Sequence, residues 1–229
     1  MSETPNNSIH KEFELERIIL FSDAVFAIAI TLLIIEIRFP ELPENYKESL
    51  DLFKMFKPTI IQFLGFFLSF FFIGMSWAKH LKMFRYLKAY DNGVIFRNLL
   101  SLLFIVAFPF AATGITHSRP GFMFPYIIYI SNIMLITVSN FLLAHYIFKH
   151  KPTLCAPGHE VEKKYIYLQS KATAITLFLS FIIILTTAIV SHYNNELILI
   201  SFYPIALFAI IMRRWLKKYK PKKTAVFGE

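Results

Sequence analysis

The sequence predicts an all-α integral membrane protein with six transmembrane helices, and three observations carry that prediction. Of its 229 residues 56% are hydrophobic and 17% aromatic, and the mean hydropathy is +0.53, outside the range of soluble domains. A bilayer core about 30 Å thick needs roughly 20 apolar residues per helical span, and stretches of that length recur along the chain. The short segments between them and the tail hold most of the 24 Lys and Arg, where positive charge orients helices in a membrane and meets anionic lipid.

The first span runs from about Ile18 to Ile37, closed by Arg38 and by Pro40, whose ring disfavours helix at the residue before it. The residues ahead of it, Met1 to Phe13, include Glu3, Pro5 and Glu12, the wrong pattern for a cleaved secretory signal, so the first span is expected to stay in the protein. A polar stretch follows, with a short amphipathic piece around Leu50, Phe53 and Phe56 suited to the membrane surface. The second span, about Thr59 to Ala78, is dense in phenylalanine and ends in the basic run Lys79, Lys82, Arg85 and Lys88. The third, Val94 to Thr116, contains Pro109, which should kink it where neighbouring helices satisfy the freed carbonyl. The fourth, Phe122 to Phe148, is long enough to tilt. A basic, proline-containing loop from Lys149 to Lys171 leads to the fifth, Ala172 to Val190. The very short turn at His192 to Asn195 pairs that helix with a sixth, Leu197 to Met212, as an antiparallel hairpin. A strongly basic end, Arg213 to Lys223, follows.

Charge placement decides between partners. A net charge of +9 is compatible with nucleic acid, but the basic residues lie between apolar spans, so membrane lipid is the expected partner and nucleic acid is not. Counted by side, nineteen of the Lys and Arg fall with the two termini and only Arg38, Lys47, Lys54, Lys57 and Arg119 fall opposite. The positive-inside rule then puts both termini in the cytosol, as an even number of spans requires. Cys155 is the only cysteine, so no intramolecular disulfide forms, and in a cytosolic loop without activating neighbours it reads as inert. No nucleophile–base pair, metal-ligand spacing or phosphate-binding glycine loop is present, so neither an enzyme nor a bound metal or cofactor is expected.

Polar groups inside a span cost roughly 2.5 to 3.5 kcal/mol at mid-membrane, and the first helix carries the richest set: Arg17, Ser22, Asp23 and Thr31. At 100° per residue Ile28, Leu32 and Ile35 fall within about 60° of one another with Thr31 beside them, forming one stripe. Asp23 points about 140° away from Ile28, and Ser22 about 120° away in the opposite sense. Asp23 therefore needs partners at its own depth on neighbouring helices, and the candidates are Trp77 and His80 near the end of the second and Asn98 near the start of the third. A hydrogen-bonded network tying three helices together is the favoured account, ahead of a proton relay, because the other spans supply no chain of titratable groups. Periodicity alone does not make the Ile28 stripe a pore, since an apolar stripe at helical spacing is far more often packing or lipid-facing.

The run Arg17-xxx-Phe21-Ser22-Asp23-xxx-Ala27-xxx-Thr31 on a first transmembrane helix resembles the signature of the transmembrane protein 175 family of endolysosomal and bacterial potassium channels. Trp77, His80, Asn98 and the Pro109-Phe110 pair resemble features of its second and third helices, and the six-span plan covers the whole chain. The resemblance implies a leak-type potassium channel in the cell membrane, without a Thr-Val-Gly-Tyr-Gly filter, in which first helices surround a central pore carrying transient K⁺. With one Phe-Ser-Asp run per chain, a homotetramer would complete that pore. Carried over residue by residue, the hydrophobic constriction falls on Ile28 with Leu32 and Ile35 beyond it, the selectivity-linked threonine on Thr31, and the supporting network on Arg17, Phe21, Ser22, Asp23, Trp77, His80 and Asn98. Arg17 returns to the Ile28 face, either at the cytosolic mouth or against headgroups. The chain divides into a cytosolic N-terminal segment (1–16), a six-helix channel domain (17–213) and a basic cytosolic tail (214–229). The alternative is an ion- or proton-coupled secondary transporter, but its paired broken helices are lacking: only Pro109 interrupts a span centrally.

Overall fold

A computed structural model describes residues 5–35, 37–38, 52–116, 124–190 and 210–221 of the chain. Five long helices follow one another: α1 (Pro5–Ile35), α2 (Leu52–Phe84), α3 (Asn92–Thr116), α4 (Phe124–His145) and α5 (Glu160–Val190). The stretches long and apolar enough to cross a membrane are Phe13–Ile35, Thr59–Phe84, Asn92–Ile115, Phe124–His150, in which a π-helical turn at Tyr146–His150 extends α4, and Glu160–Thr187. Residues 210–217 are also helical. The rest of the expected sixth span and the turn before it, with Leu50 and Glu36, lie outside the described residues.

Helix boundaries differ from the hydropathy reading where polar residues are themselves good helix formers. The Lys- and Glu-bearing stretch before the first span continues α1 back to Pro5, and Phe53 and Phe56 belong to the start of α2 rather than to a separate surface helix. On the other side of the fold, α5 begins at Glu160, inside the expected loop, with Glu160 and Glu162 in its first turn where the helix dipole favours acidic groups. A left-handed turn at Gly158 (φ 85°) and His159 (φ 58°) delivers the chain to that start. The third span stays helical through Pro109 to Thr116, and Thr113 Oγ1 donates to the Pro109 carbonyl at 2.9 Å.

α3 is the hub, packed against α1, α2 and α4, while α5 packs mainly on α4 and only lightly on α2. α1 packs chiefly against α2 and α3. Two apolar clusters hold the bundle. One, near the end that carries the N-terminus, joins Leu15, Phe84, Val94, Leu143 and Ile147. The other, deeper in the spans, joins Phe26, Leu33, Ile73, Ile105, Phe108 and Ile136.

Beyond the first cluster the connections clasp each other. Lys88 N donates to the Leu154 carbonyl and Ala156 N to the Tyr86 carbonyl, each at 2.9 Å, around an antiparallel bridge between Leu87 and Cys155. Asp91 caps α3 by accepting from the Val94 N–H at 2.9 Å, and its other oxygen accepts from Tyr146 Oη at 2.8 Å. Burial works to raise the Asp91 pKa, but the hydrogen bonds from Tyr146 and Val94, with nearby Lys151, outweigh it and hold the carboxyl below its ordinary value. Arg97 sits over the Tyr146 ring, 4.0 Å from its centroid. Cys155 is buried in this clasp, and burial pushes its thiol up despite the neighbouring lysines.

Candidate functional site

The site is built on α1, whose two faces have opposite surroundings. Ser22, Phe26, Ala29 and Leu33, at helical spacing, are buried against α2 and α3. On the opposite side Ile28 is 58% exposed, Leu32 40% and Ile35 68%, and Thr31, Ala24, Phe21 and Arg17 are exposed with them. The stripe found by the helical wheel is thus a surface that no other described part of the chain covers. Thr31 Oγ1 donates to the Ile28 carbonyl at 2.9 Å, which commits its proton to its own helix and leaves its lone pairs on the open face.

The polar residues fall into two separate chains of hydrogen bonds. In the first, Ser22 Oγ donates to the Ile18 carbonyl at 2.8 Å and accepts from Asn98 Nδ2 at 2.9 Å. The Asn98 amide oxygen lies 2.8 Å from His80 Nε2. With its NH₂ committed to Ser22, Asn98 presents an acceptor to His80, so His80 Nε2 carries the proton. All three side chains are at most 2% exposed, and the imidazole is stacked on Phe84 (centroids 4.3 Å) with Phe26 at 5.5 Å. In the second chain Trp77 Nε1 donates to Asp23 Oδ1 at 2.8 Å on a more open side of α1.

The expectation that Asp23 meets His80 and Asn98 is therefore corrected: Asn98 bonds Ser22, His80 bonds Asn98, and among the described residues Asp23 bonds Trp77 alone. The reason is the 100° between consecutive helical residues, which aims Ser22 at α3 while Asp23 faces α2. Arg17 and Phe21 join neither chain. Arg17 borders a cavity of about 410 Å³ between α1 and the start of α3, with Glu14, Phe21, Tyr90 and Asn98. At its rim Tyr90 Oη donates to Glu14 Oε2 at 2.6 Å, and that bond raises the Tyr90 pKa. A further contact was not legible in advance: Ser101 Oγ donates to Asn140 Oδ1 at 3.1 Å, extending the polar seam from α3 to α4. Both are small polar residues at helical spacing from apolar neighbours, a signal too common to single them out. Among the described residues no group of three or more His, Cys, Asp or Glu is arranged to hold a metal.

These features define a polytopic helical membrane protein whose first helix is bonded through a polar seam on one side and open along the other. Residues 17–109, from within α1 to within α3, match the family described as "Endosomal/lysosomal potassium channel TMEM175". Similar proteins include a potassium channel of Streptomyces collinus, 36% identical over 95 residues that make up 41% of this chain and 43% of that one. A potassium channel of Chamaesiphon minutus is 34% identical over 110 residues, 48% of this chain and 51% of its own. The endosomal/lysosomal proton channel TMEM175 of Homo sapiens is 34% identical over 107 residues, 45% of this chain and 21% of that protein. The chain thus spans about half the length of the bacterial relatives it matches, and less of the human one. The crystal structure of a lysosomal potassium-selective channel TMEM175 homolog from Chamaesiphon minutus shares the fold, with a TM-score of 0.62 at 22% identity over 90% of this chain and 96% of that one.

Proposed function

We propose that this chain forms a potassium-selective leak channel in which first helices from four copies surround the conduction path. The observation that carries the reading is the open face of α1: Ile28, Thr31, Leu32 and Ile35 lie exposed along a membrane-spanning helix, directly opposite the stripe that fixes it to its own chain. The names of the bacterial relatives support potassium as the ion, and the lysine and arginine count supports placing both termini in the cytoplasm, in the cell membrane. Ions pass down their gradient without a chemical step and without a resident metal or cofactor. Ile28 forms an apolar collar that resists wetting and keeps conductance low, Leu32 and Ile35 continue it outwards, and Thr31 offers hydroxyl lone pairs to the ion or its waters. Arg17 stands at the cytosolic mouth on the same face. A coupled transporter is not favoured.

The test is Ile28→Asn in proteoliposomes, with single-channel conductance recorded beside the assembled fraction in size-exclusion chromatography. An amide at the collar should wet it, raise K⁺ flux several-fold and leave assembly intact. Reduced assembly without a gain in conductance would remove Ile28 from the path, because an amide in packed apolar surroundings destabilises without opening anything. Since the animal relatives bear the name of proton channels, the same vesicles should carry a pH-sensitive dye. Current that tracks the proton gradient rather than the K⁺ gradient would overturn the choice of ion.

A further inference from the structure

On the side of the bundle away from α1, a second polar site lies between α2, α4 and α5. A small cavity of about 50 Å³ is bordered by Ser76, Lys79, Thr137, Asn140, Ser170 and Thr173, with Phe72, Met83 and Leu177 closing it. A single water needs only about 10–15 Å³ of such space, so the cavity has room for a group of several atoms. Six polar side chains converging in a membrane bundle call for an account, and the lysine most of all.

The hydrogen-bond directions specify the ligand's charge. Ser76, Thr137 and Thr173 donate to carbonyls of their own helices, at 3.0, 2.9 and 2.8 Å. Asn140 Oδ1 is taken by Ser101, which turns the amide so that its NH₂ is the group left to give. Among the described residues no hydrogen bond occupies Asn140 Nδ2, the Ser170 hydroxyl or Lys79 Nζ, and no carboxylate pairs with Lys79. Three donors, one of them cationic, border one cavity in which, among the described residues, the acceptors are neutral hydroxyl oxygens and no carboxylate balances the lysine.

Position specifies the source. Lys79 is five residues from the end of α2 at Phe84, about 8 Å along the axis, on the side that carries the N-terminus, where a lysine stem reaches the headgroup level. α2 and α5 touch only lightly, Lys79 itself is exposed at the cavity, and Lys82 and Lys171 are exposed on the same two helices. Basic pockets between transmembrane helices at this level suit anionic headgroups.

We propose that this cavity binds the phosphodiester of an anionic phospholipid, with Lys79 as the cationic donor and Asn140 and Ser170 as neutral ones. The site is independent of the pore reading, because it lies on the other side of the bundle and its test measures binding rather than flux.

Native mass spectrometry of the detergent-purified protein, titrated with phosphatidylglycerol, phosphatidylcholine and inorganic phosphate, tests it. Wild type should hold phosphatidylglycerol more tightly than phosphatidylcholine, and Lys79→Gln should weaken phosphatidylglycerol about tenfold, the scale of one charge-assisted hydrogen bond. Ser170→Ala should weaken it about threefold, whereas Lys79→Arg, which keeps the charge, and Lys164→Gln, at a lysine outside the cavity, should bind as wild type. Each variant must elute as wild type; if Lys79→Gln does not, Ser170→Ala and Lys79→Arg carry the test. Unchanged phosphatidylglycerol binding in Lys79→Gln or Ser170→Ala overturns the site. Equal binding of phosphatidylcholine means an ordinary annular lipid and overturns it too, and saturable inorganic phosphate that competes with the lipid overturns the lipid assignment in favour of a free anion.

Discussion

Asn98 is the residue on which the buried seam depends, and replacing it with leucine removes both of its hydrogen bonds while keeping the branched shape of the side chain, in a somewhat larger volume. In wild type it joins Ser22 at 2.9 Å to His80 at 2.8 Å, with all three side chains at most 2% exposed. Hydrogen bonds between membrane helices average about 0.6 kcal/mol each, so their direct loss is the smaller part. The larger part is His80, whose Nε2 proton is left without an acceptor in a buried site, at roughly 1–3 kcal/mol. Ser22 suffers less, because its own proton stays bonded to the Ile18 carbonyl. Asn98→Leu should therefore destabilise the chain by about 2–4 kcal/mol, which for a protein of this size lowers Tm by about 5–15 °C. Adding His80→Phe should restore about half of that loss, since it removes the orphaned donor and a phenyl ring keeps the stack on Phe84. The assay is the melting temperature in one detergent, followed by size-exclusion chromatography, for wild type, both single variants and the double variant. A double variant that melts no higher than Asn98→Leu alone would refute the reasoning, because the loss would then lie in packing and not in an unsatisfied imidazole.

Two other outcomes follow from particular contacts. A methyl group at Gly93 would overlap the Tyr146 hydroxyl, which Asp91 and Arg97 hold in place, so Gly93→Ala should destabilise by about 1–3 kcal/mol in a thermal melt, and Tyr146→Phe in the same background should recover part of it. Thr31→Val keeps the shape of the side chain and deletes the lone pairs on the open face of α1; on the pore reading K⁺ over Na⁺ permeability falls in bi-ionic recordings with Tm unchanged, and an unchanged reversal potential would leave the hydroxyl a purely local bond.

What was legible in the sequence follows from periodicity and length. Five of the six spans coincide with described helices, and the wheel that separated Ile28, Leu32 and Ile35 from Ser22 and Asp23 also separates the open from the more enclosed side of α1. What was not legible depends on how one helix is rotated against another. Ser22 and Asp23 are adjacent in sequence and of similar polarity, and only the position of α3 decides that Asn98 bonds the serine while the aspartate takes Trp77. The clasp between residues 86–89 and 152–156 was equally hidden, because its single bridge between Leu87 and Cys155 is too short to carry an alternating pattern. The early start of α5 was missed because hydropathy reports what lipid tolerates, whereas Glu160 to Lys171 are helical for reasons of capping charge and propensity.

The location of the polar seam gives it a task that apolar packing performs poorly. It lies between two apolar clusters, one around Leu15, Phe84 and Leu143 and one around Phe26, Ile105 and Ile136. Within either cluster aliphatic and aromatic neighbours would accept a modest rotation of α1 with little change in contact, since hydrophobic burial is not directional. Ser22 does not accept it: turning α1 by one residue, 100°, carries its hydroxyl away from Asn98 and leaves the amide and then His80 unsatisfied. Polar side chains acting this way fix register as much as they add stability. Because Ser22 and Ile28 lie about 120° apart on the wheel, the bond that seats the serine also determines which way the isoleucine faces. On the pore reading, variants at Ser22, Asn98 or His80 then disturb conduction only by freeing α1 to turn, so their effects on flux and on Tm should rise together. Variants at Ile28 and Thr31 should alter flux or ion choice at constant Tm.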